Sequence, residues 1–163
     1  MRGQYKMERD ERICSFFGHR EIAEKEKISK KVEEIVKALI ERGVKTFLFG
    51  GFGEFDALCH KVVSAVKEKN PTIKRVFCLT DERHLNKYKR SKFLREEDYE
   101  EFIYLSLSFD YCYTRIYYRN CEMIKQSDFI VFYATKRENS GAYKALQYAI
   151  KQKKENINIF DQI

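Results

Sequence analysis

Four short segments of this sequence carry glycine, arginine, asparagine or serine in arrangements that suit a phosphorylated ligand. Glycine lets a ligand approach the backbone closely, and a glycine-rich turn before a helix exposes N–H groups that favour an anion. An arginine guanidinium binds phosphate through a planar fork of donors. The predicted ligand-binding residues are Gly18, His19, Arg20, Gly50, Gly51, Gly53, Asp56, Arg119, Asn120, Ser140 and Gly141.

The second segment, residues 50–56 (GGFGEFD), is the richest in glycine. It lacks the Gly-Lys-Ser/Thr of a Walker A loop, and its spacing differs from the GxGxxG fingerprint of dinucleotide-binding folds. The segment is therefore either a phosphate cradle at the start of a helix or a tight turn with no ligand. Asp56 either accepts hydrogen bonds from ribose hydroxyls or caps N–H groups of the helix. Direct phosphate binding by Asp56 is not expected, because like charges repel.

The remaining polar residues suggest several roles. His19 would donate to a phosphate or stack on a base, and Arg20 would bind a phosphate or form a surface ion pair. Arg119 is expected on the solvent-facing side of an amphipathic helix. Asparagine is unfavourable inside a helix, so Asn120 indicates a specific hydrogen bond.

The spacing of apolar residues predicts the elements that carry these segments. Short apolar runs predict strands, and apolar residues three or four positions apart predict helices. The predicted strands are residues 13–17, 46–49, 73–79, 109–113, 128–134 and 157–160. The predicted helices cover residues 28–40, 55–66, 115–126 and 140–153, and Gly43 ends the first. Residues 80–101 are interpreted as a charged surface excursion with a helix near its end.

The alternation of strands and helices predicts an α/β fold with a mainly parallel sheet. Ligands of such folds bind beyond the carboxyl ends of the strands, at the point where the strand order switches direction. Three of the four segments directly follow predicted strands, so we expect them to meet at that edge. A length of 163 residues predicts one domain, 1–163, in which residues 1–11 form a flexible N-terminal segment.

Composition excludes several classes of protein. Hydrophobic residues make up 44% and charged residues 35%, which excludes a disordered or collagen-like chain. The apolar stretches are too short to span a membrane, and no secretory h-region follows the charged residues 1–12. We therefore expect a cytoplasmic protein with no membrane partner.

Cysteine content and net charge bear on metals and partners. The five cysteines form no CxxC pair, and neither they nor the three histidines have zinc-ligand spacing, so reduced thiols, no metal site and no resident cofactor are predicted. The net charge of +7 favours an anionic partner, either a nucleotide or a nucleic acid. A charged surface with no such partner is the alternative.

The same segments resemble a known family. Residues 14–20 (CSFFGHR) are similar to the CCFTGHR opening of the bacterial YpsA-like family, and residues 50–56 are similar to its GGAxGxD turn. Residues 118–124 (YRNCEMI) resemble its RNxxMI/VD helix, which the strand residues 127–131 (SDFIV) follow in the same order. Residues 140–142 (SGA) stand where the family usually has Gly-Gly-Thr.

This resemblance implies membership of the SLOG superfamily, a Rossmann-like group that includes LOG phosphoribohydrolases and DprA single-strand DNA binders. It implies a Rossmann-like three-layer sandwich, a site for a nucleotide or an NAD-derived ligand such as ADP-ribose, and a homo-oligomer. LOG enzymes carry PGGxGTxxE with a catalytic glutamate. Here no glutamate follows Gly141 on the helix, which argues against phosphoribohydrolase activity.

Three functions remain open at this point. The first is a nucleotide-binding sensor or regulatory protein, in which the glycine turns hold phosphates and Asp56 holds a ribose. The second is a nucleotide or N-glycosidic hydrolase, whose acid–base candidates are Asp56, Glu54 and Glu138. The third is a single-strand nucleic-acid binder, with Tyr117, Tyr118 and the basic residues 83–95 as its contact surface.

Overall fold

A computed structural model of the chain describes residues 11–81, 83, 86, 96–105, 112–137 and 139–163. The strands are β1 (Arg12–Gly18), β2 (Val44–Phe49), β3 (Lys74–Leu79), β4 (Glu101–Tyr104), β5 (Phe129–Tyr133) and β6 (Glu155–Asn158). The helices are α1 (Lys25–Glu41), α2 (Gly53–Lys67), α3 (Cys112–Gln126) and α4 (Gly141–Lys151). Short 3₁₀ turns lie at Glu96–Asp98 and Ile159–Gln162.

All six strands form one parallel sheet in the order β4-β3-β2-β1-β5-β6. The chain builds outward from β1 through β2 and β3 to β4, then returns to the other side of β1 to add β5 and β6. The strand order therefore switches direction between β1 and β5. This topology opens a crevice at the carboxyl ends of these two strands.

Helices cover both faces of the sheet, because alternate side chains of each strand point to opposite faces. On β1, Cys14 and Phe16 pack in a core with apolar residues of α1 and α2. Ile13 and Phe17 pack instead in a second core with Met123 of α3 and residues of α4. The structure thus confirms the Rossmann-like three-layer sandwich.

Most of the predicted elements are confirmed. Five of the six predicted strands match β1, β2, β3, β5 and β6, and the four predicted helices match α1 to α4 with small shifts at their ends. Gly43 follows α1 with φ of +95°, the left-handed conformation expected of a glycine after a helix. The predicted N-terminal segment 1–11 lies, apart from Glu11, outside the described residues.

Two predictions differ from the structure. Strand β4 begins at the last residue of the predicted surface excursion and was not predicted, because it is a short edge strand in which only Ile103 is buried. The strand predicted at 109–113 is wrong for Cys112 and Tyr113, which begin α3, since tertiary context overrides weak strand preferences. Residues 109–111 and most of 82–95 lie outside the described residues.

Two further observations concern thiols and membranes. Cys14, Cys59, Cys78 and Cys121 are buried thiols outside any disulfide, as predicted, and burial raises the pKa of each. Within the described ranges, every helix is too short or too polar to cross a lipid bilayer.

Candidate functional site

A small cleft lies at the carboxyl edge of the sheet, beside the switch between β1 and β5. Its volume is about 180 Å³, and we call it the switch-point cleft. The structure brings seven predicted residues together in its lining, which are Gly18, Arg20, Gly50, Asp56, Arg119, Asn120 and Gly141. Four segments that are distant in sequence therefore meet because the ends of parallel strands share one edge.

The backbone amides of the turn after β2 are hydrogen-bonded to a side chain of the same chain. The N–H of Gly50 donates to Oδ1 of Asp56 at 3.1 Å, and the N–H of Gly51 also bonds this carboxylate. Asp56 thus caps its own turn. Gly51 has φ of +77°, and a Cβ there would lie 2.4 Å from the Phe77 ring, so the fold itself requires glycine at this position.

Asp56 is only 8% exposed, and this burial affects the pKa of its carboxyl group. It raises the pKa of Asp56 to about 6, because the ionised carboxylate is poorly solvated there. The N–H bonds from Gly50 and Gly51 and the charge of Arg119 oppose this rise by favouring the ionised form. Asp56 therefore changes charge close to neutral pH.

Arg119 lies inside the protein, so the expectation of a solvent-facing position was wrong. Its Nη1 donates to the carbonyl of Gly50 at 2.9 Å and to that of Cys78 at 3.2 Å. Its Nη2 donates to Oδ1 of Asn120 at 2.9 Å, which is the specific hydrogen bond predicted for Asn120. Arg119 is buried because the carbonyls at the ends of β2 and β3 need a donor that α3 can supply.

His19 joins the end of β1 to the loop between β5 and α4. The N–H of Thr135 donates to Nε2 at 2.7 Å, so the ring proton belongs on Nδ1, which lies 3.2 Å from Oγ of Ser140. Burial lowers the pKa of His19, and so does the charge of Arg137. Both ring nitrogens are thus engaged within the chain, and a phosphate contact would require one of these bonds to break.

The N-terminus of α4 differs from that of α2 in its chemistry. Ser140 caps α4 by accepting a hydrogen bond from the N–H of Tyr143 at 3.3 Å, and the first turn holds no acidic residue. A Cβ added to Gly141 would meet no described atom within 4 Å, so this side of the helix end is open to the cleft. The positive end of the helix dipole and the open backbone favour an anion here.

Arg20 is exposed at the mouth of the cleft, and its backbone supports the neighbouring turn. The carbonyl of Arg20 accepts from the N–H of Glu54 at 2.8 Å. A Cβ on Gly53, whose φ is +87°, would lie 2.7 Å from the Arg20 Cα. Gly53 therefore permits close packing of two backbone segments and lies outside the cleft lining.

The three carboxylates considered as acid–base groups are placed differently. Glu54 accepts from the N–H of Ile22 at 2.7 Å and pairs with Lys25, so it does not line the cleft. Glu138 lies outside the described residues. Among the described residues that line the cleft, Asp56 is the single carboxylate. Within the part of the chain that the structure describes, no cluster of three metal-ligating side chains occurs.

Several lining residues were not predicted from the sequence, namely Phe16, Phe17, Phe52, Ile116 and Ala142. Most of them belong to apolar runs that indicate core positions and nothing more. Phe52 is the exception, since it stands between Gly51 and Gly53 and is 36% exposed. Its position inside the glycine-rich segment was the signal that could have identified it.

A larger groove of about 1020 Å³ runs between α1 and α2. Its lining includes apolar residues such as Leu58 and Val62 and a rim of lysines and glutamates. It contains none of the predicted ligand-binding residues. Size alone does not make it the functional site, because the strand ends and helix N-termini that suit a phosphate lie at the switch-point cleft.

Tyr117 and Tyr118, predicted as nucleic-acid contacts, lie on α3. Their rings contact each other edge to face with centroids 5.5 Å apart, and Tyr117 is 36% exposed. Of the basic residues in 83–95, only Arg83 is described, and it is exposed. A nucleic-acid contact surface at Tyr117, Tyr118 and residues 83–95 therefore stays a prediction.

The fold is an α/β domain of the Rossmann-like class, with a cleft at the point where the strand order of its sheet switches direction. No family model and no curated protein matches the sequence. Solved structures do match. DNA processing protein A (DprA) from Streptococcus pneumoniae is 13% identical with a TM-score of 0.55, over 90% of this chain and 49% of that one.

Two other solved structures share the fold. DprA from Helicobacter pylori, whose structure concerns its single-stranded DNA binding mode, is 14% identical with a TM-score of 0.56 over 89% of this chain and 63% of that one. The molybdenum cofactor carrier protein from Chlamydomonas reinhardtii is 17% identical with a TM-score of 0.55 over 90% of this chain and 74% of that one. The chain spans less than two thirds of either DprA chain, and the likeness at these identities is one of fold.

Proposed function

We propose that this chain is a cytoplasmic nucleotide-binding sensor or regulatory protein, whose ligand is NAD-derived or similar to ADP-ribose. The observation that carries the proposal is the switch-point cleft, in which residues from four distant segments converge at the edge where Rossmann-like folds bind ligands. In this proposal the protein is of the YpsA-like type within the SLOG superfamily. The motif order in the sequence and the fold shared with DprA support that assignment.

The chemistry of the cleft supports a phosphate at one end. Gly141 leaves the N-terminus of α4 open, and the exposed Arg20 adds a positive charge to the same lining. A phosphate between them would receive backbone N–H groups and a guanidinium fork. Gly50 and Gly51 act indirectly in this proposal, because their amides already bond Asp56.

Other residues of the lining support a ribose. Asp56 lines the cleft, and its Oδ1 is held by the N–H of Gly50 at 3.1 Å, which fixes the position of the carboxylate. A fixed carboxylate accepts hydrogen bonds from the hydroxyls of a sugar. Asn120 also lines the cleft and adds an amide to the same set of polar groups.

Calorimetric titration with AMP, ADP-ribose and NAD tests the proposal. Arg20→Ala should weaken binding about 10- to 100-fold, because a hydrogen bond to a charged group contributes about 1.5–3 kcal/mol. Arg12→Ala is the matched control, since Arg12 is exposed at the start of β1, whereas Arg20 follows the end of this strand. The proposal would be contradicted if the wild-type protein bound none of these ligands. It would also be contradicted if Arg20→Ala bound them with wild-type affinity.

A second candidate is single-strand nucleic-acid binding. DprA is a DNA processing protein, and the Helicobacter pylori structure concerns its binding of single-stranded DNA. In this chain, the exposed Lys136, Arg137 and Lys144 lie in the loop and first turn beside the cleft. Titration with a short oligothymidylate at several salt concentrations tests it. Binding that falls steeply with salt supports this candidate, because phosphate contacts release counterions. An absence of oligonucleotide binding at low salt, alongside binding of AMP, contradicts it.

A further inference from the structure

We propose that Phe52 is the surface on which the base of the bound nucleotide stacks. The base then lies against Phe52 at the mouth of the switch-point cleft. The ribose reaches the buried Asp56, and the phosphate binds between Arg20 and Gly141. This inference rests on the proposed nucleotide-binding function and adds the residue that recognises the base. It also implies that an unattached sugar phosphate binds more weakly than the nucleotide that contains it.

The volume of the cleft limits what it can enclose. It measures about 180 Å³. Pockets that enclose whole small-molecule ligands measure roughly 300–1,000 Å³, so a complete nucleotide does not fit inside this one. The buried polar residues of the lining, Asp56, Arg119 and Asn120, suit the ribose. The exposed Arg20 suits the phosphate. The base must therefore contact a residue at the mouth.

Phe52 has the exposure and position that such a contact needs. It is 36% exposed, whereas Phe16 and Phe17, the other aromatic residues of the lining, are 2% and 8% exposed and belong to the core. The extended backbone of Phe52, at φ of −115° and ψ of 124°, sits between two glycines with positive φ. These neighbours hold the ring at the cleft instead of in the core.

The surroundings of the ring favour stacking. The Cζ of Arg119 lies 5.6 Å from the centroid of the Phe52 ring, within the range of a cation–π contact. Arg119 is itself fixed by the carbonyls of Gly50 and Cys78, so it holds the ring in place. A base stacks on an aromatic ring whatever its hydrogen-bonding edge, and loss of such a ring weakens binding about tenfold or more.

The first experiment compares AMP with ribose 5-phosphate, which lacks the base. Phe52→Leu should weaken AMP binding about tenfold and leave the affinity for ribose 5-phosphate unchanged. Phe160→Leu is the control, because Phe160 is 43% exposed and does not line the cleft. Thermal melting of each variant confirms that it is folded.

The second experiment uses the absence of tryptophan from the sequence. Phe52→Trp introduces a single tryptophan at the mouth of the cleft, whose emission can be excited separately from that of the tyrosines, and Phe160→Trp introduces one elsewhere. AMP should quench the fluorescence of Phe52→Trp, and ribose 5-phosphate should bind without quenching. Neither ligand should quench Phe160→Trp.

The outcomes separate this inference from the proposed function. Equal losses for AMP and ribose 5-phosphate in Phe52→Leu mean that Phe52 only shapes the turn, which overturns the inference and leaves the proposed function standing. If Phe52→Leu binds AMP with wild-type affinity and AMP does not quench Phe52→Trp, the base does not stack on Phe52. This result also overturns the inference and leaves the proposed function standing. Failure of wild type to bind any of AMP, ADP-ribose and NAD overturns the proposed function, and the inference with it.

Discussion

Two glycine-bearing turns at the carboxyl edge each precede a helix, and they differ in structure. The turn after β2 donates its Gly50 and Gly51 amides to Asp56, and two acidic residues occupy the first turn of α2. The turn before α4 has a serine cap, no acidic residue in its first turn and open space beside Gly141. A carboxylate of the chain thus occupies the amides of the turn after β2, whereas no acidic residue lies in the first turn of α4.

The comparison separates two uses of glycine. At Gly51 the absence of a side chain serves the fold, because both the positive φ and the Phe77 ring exclude a Cβ. At Gly141 no described part of the chain requires the absence of a side chain, so the open space is available to a ligand. A glycine-rich turn therefore does not by itself indicate which of its glycines contact a ligand.

The largest expected effect comes from placing valine in each turn. Gly51→Val should lower the free energy of unfolding by about 3 kcal/mol or more, since a left-handed backbone and overpacking each cost about 1–3 kcal/mol. Gly141→Val should change stability by less than about 0.5–1 kcal/mol but abolish nucleotide binding, because the side chain enters the cleft. Urea unfolding and calorimetric titration of the two variants measure these effects.

The pair of variants contains its own control, since the same substitution is made in both turns. Gly51→Val that is as stable as wild type would show that the turn after β2 is not closed by packing. Gly141→Val that binds AMP normally would remove the N-terminus of α4 from the site. Either result would break the distinction between the two turns.

The sequence predicted the fold well where burial produces a strong pattern. The apolar runs of β1, β2, β3 and β5 are continuous because helices cover both faces of the sheet. Strand β4 was not predicted, because it is an edge strand of only four residues, Glu101–Tyr104, with little buried surface. Prediction of the layers therefore succeeded, whereas the edge strand was missed because its apolar run, residues 102–104, is short and follows a long charged stretch.

The candidate site was predictable in position but not in the partners of its side chains. The rule that ligands bind at strand ends located the cleft, whose lining includes Arg20 and Gly141. The sequence did not indicate that Arg119 is buried against the carbonyls of Gly50 and Cys78. Arg119 lies 69 positions from Gly50 and 41 positions from Cys78 in the sequence, and helical periodicity carries no information about such distant partners.

A smaller effect tests whether a carboxylate closes the turn after β2. The pKa of Asp56 is raised from 3.8 to about 6 in the folded protein, so the folded state holds this proton more tightly than the unfolded state. The stability that the proton contributes is fully present below pH 3.8 and is lost as the pH rises through about 6. Linkage gives a loss of about 2 kcal/mol between pH 4.5 and 7.5.

Asp56→Asn removes this titration and leaves the other carboxylates in place. The difference in unfolding free energy between wild type and Asp56→Asn should therefore favour wild type by about 2 kcal/mol more at pH 4.5 than at pH 7.5. Urea unfolding of both proteins at the two pH values measures it, and the comparison cancels the titration of the remaining groups. A difference that is the same at both pH values would mean that Asp56 is well solvated in the folded protein. The turn after β2 would then be open to water, and the contrast with the turn before α4 would disappear.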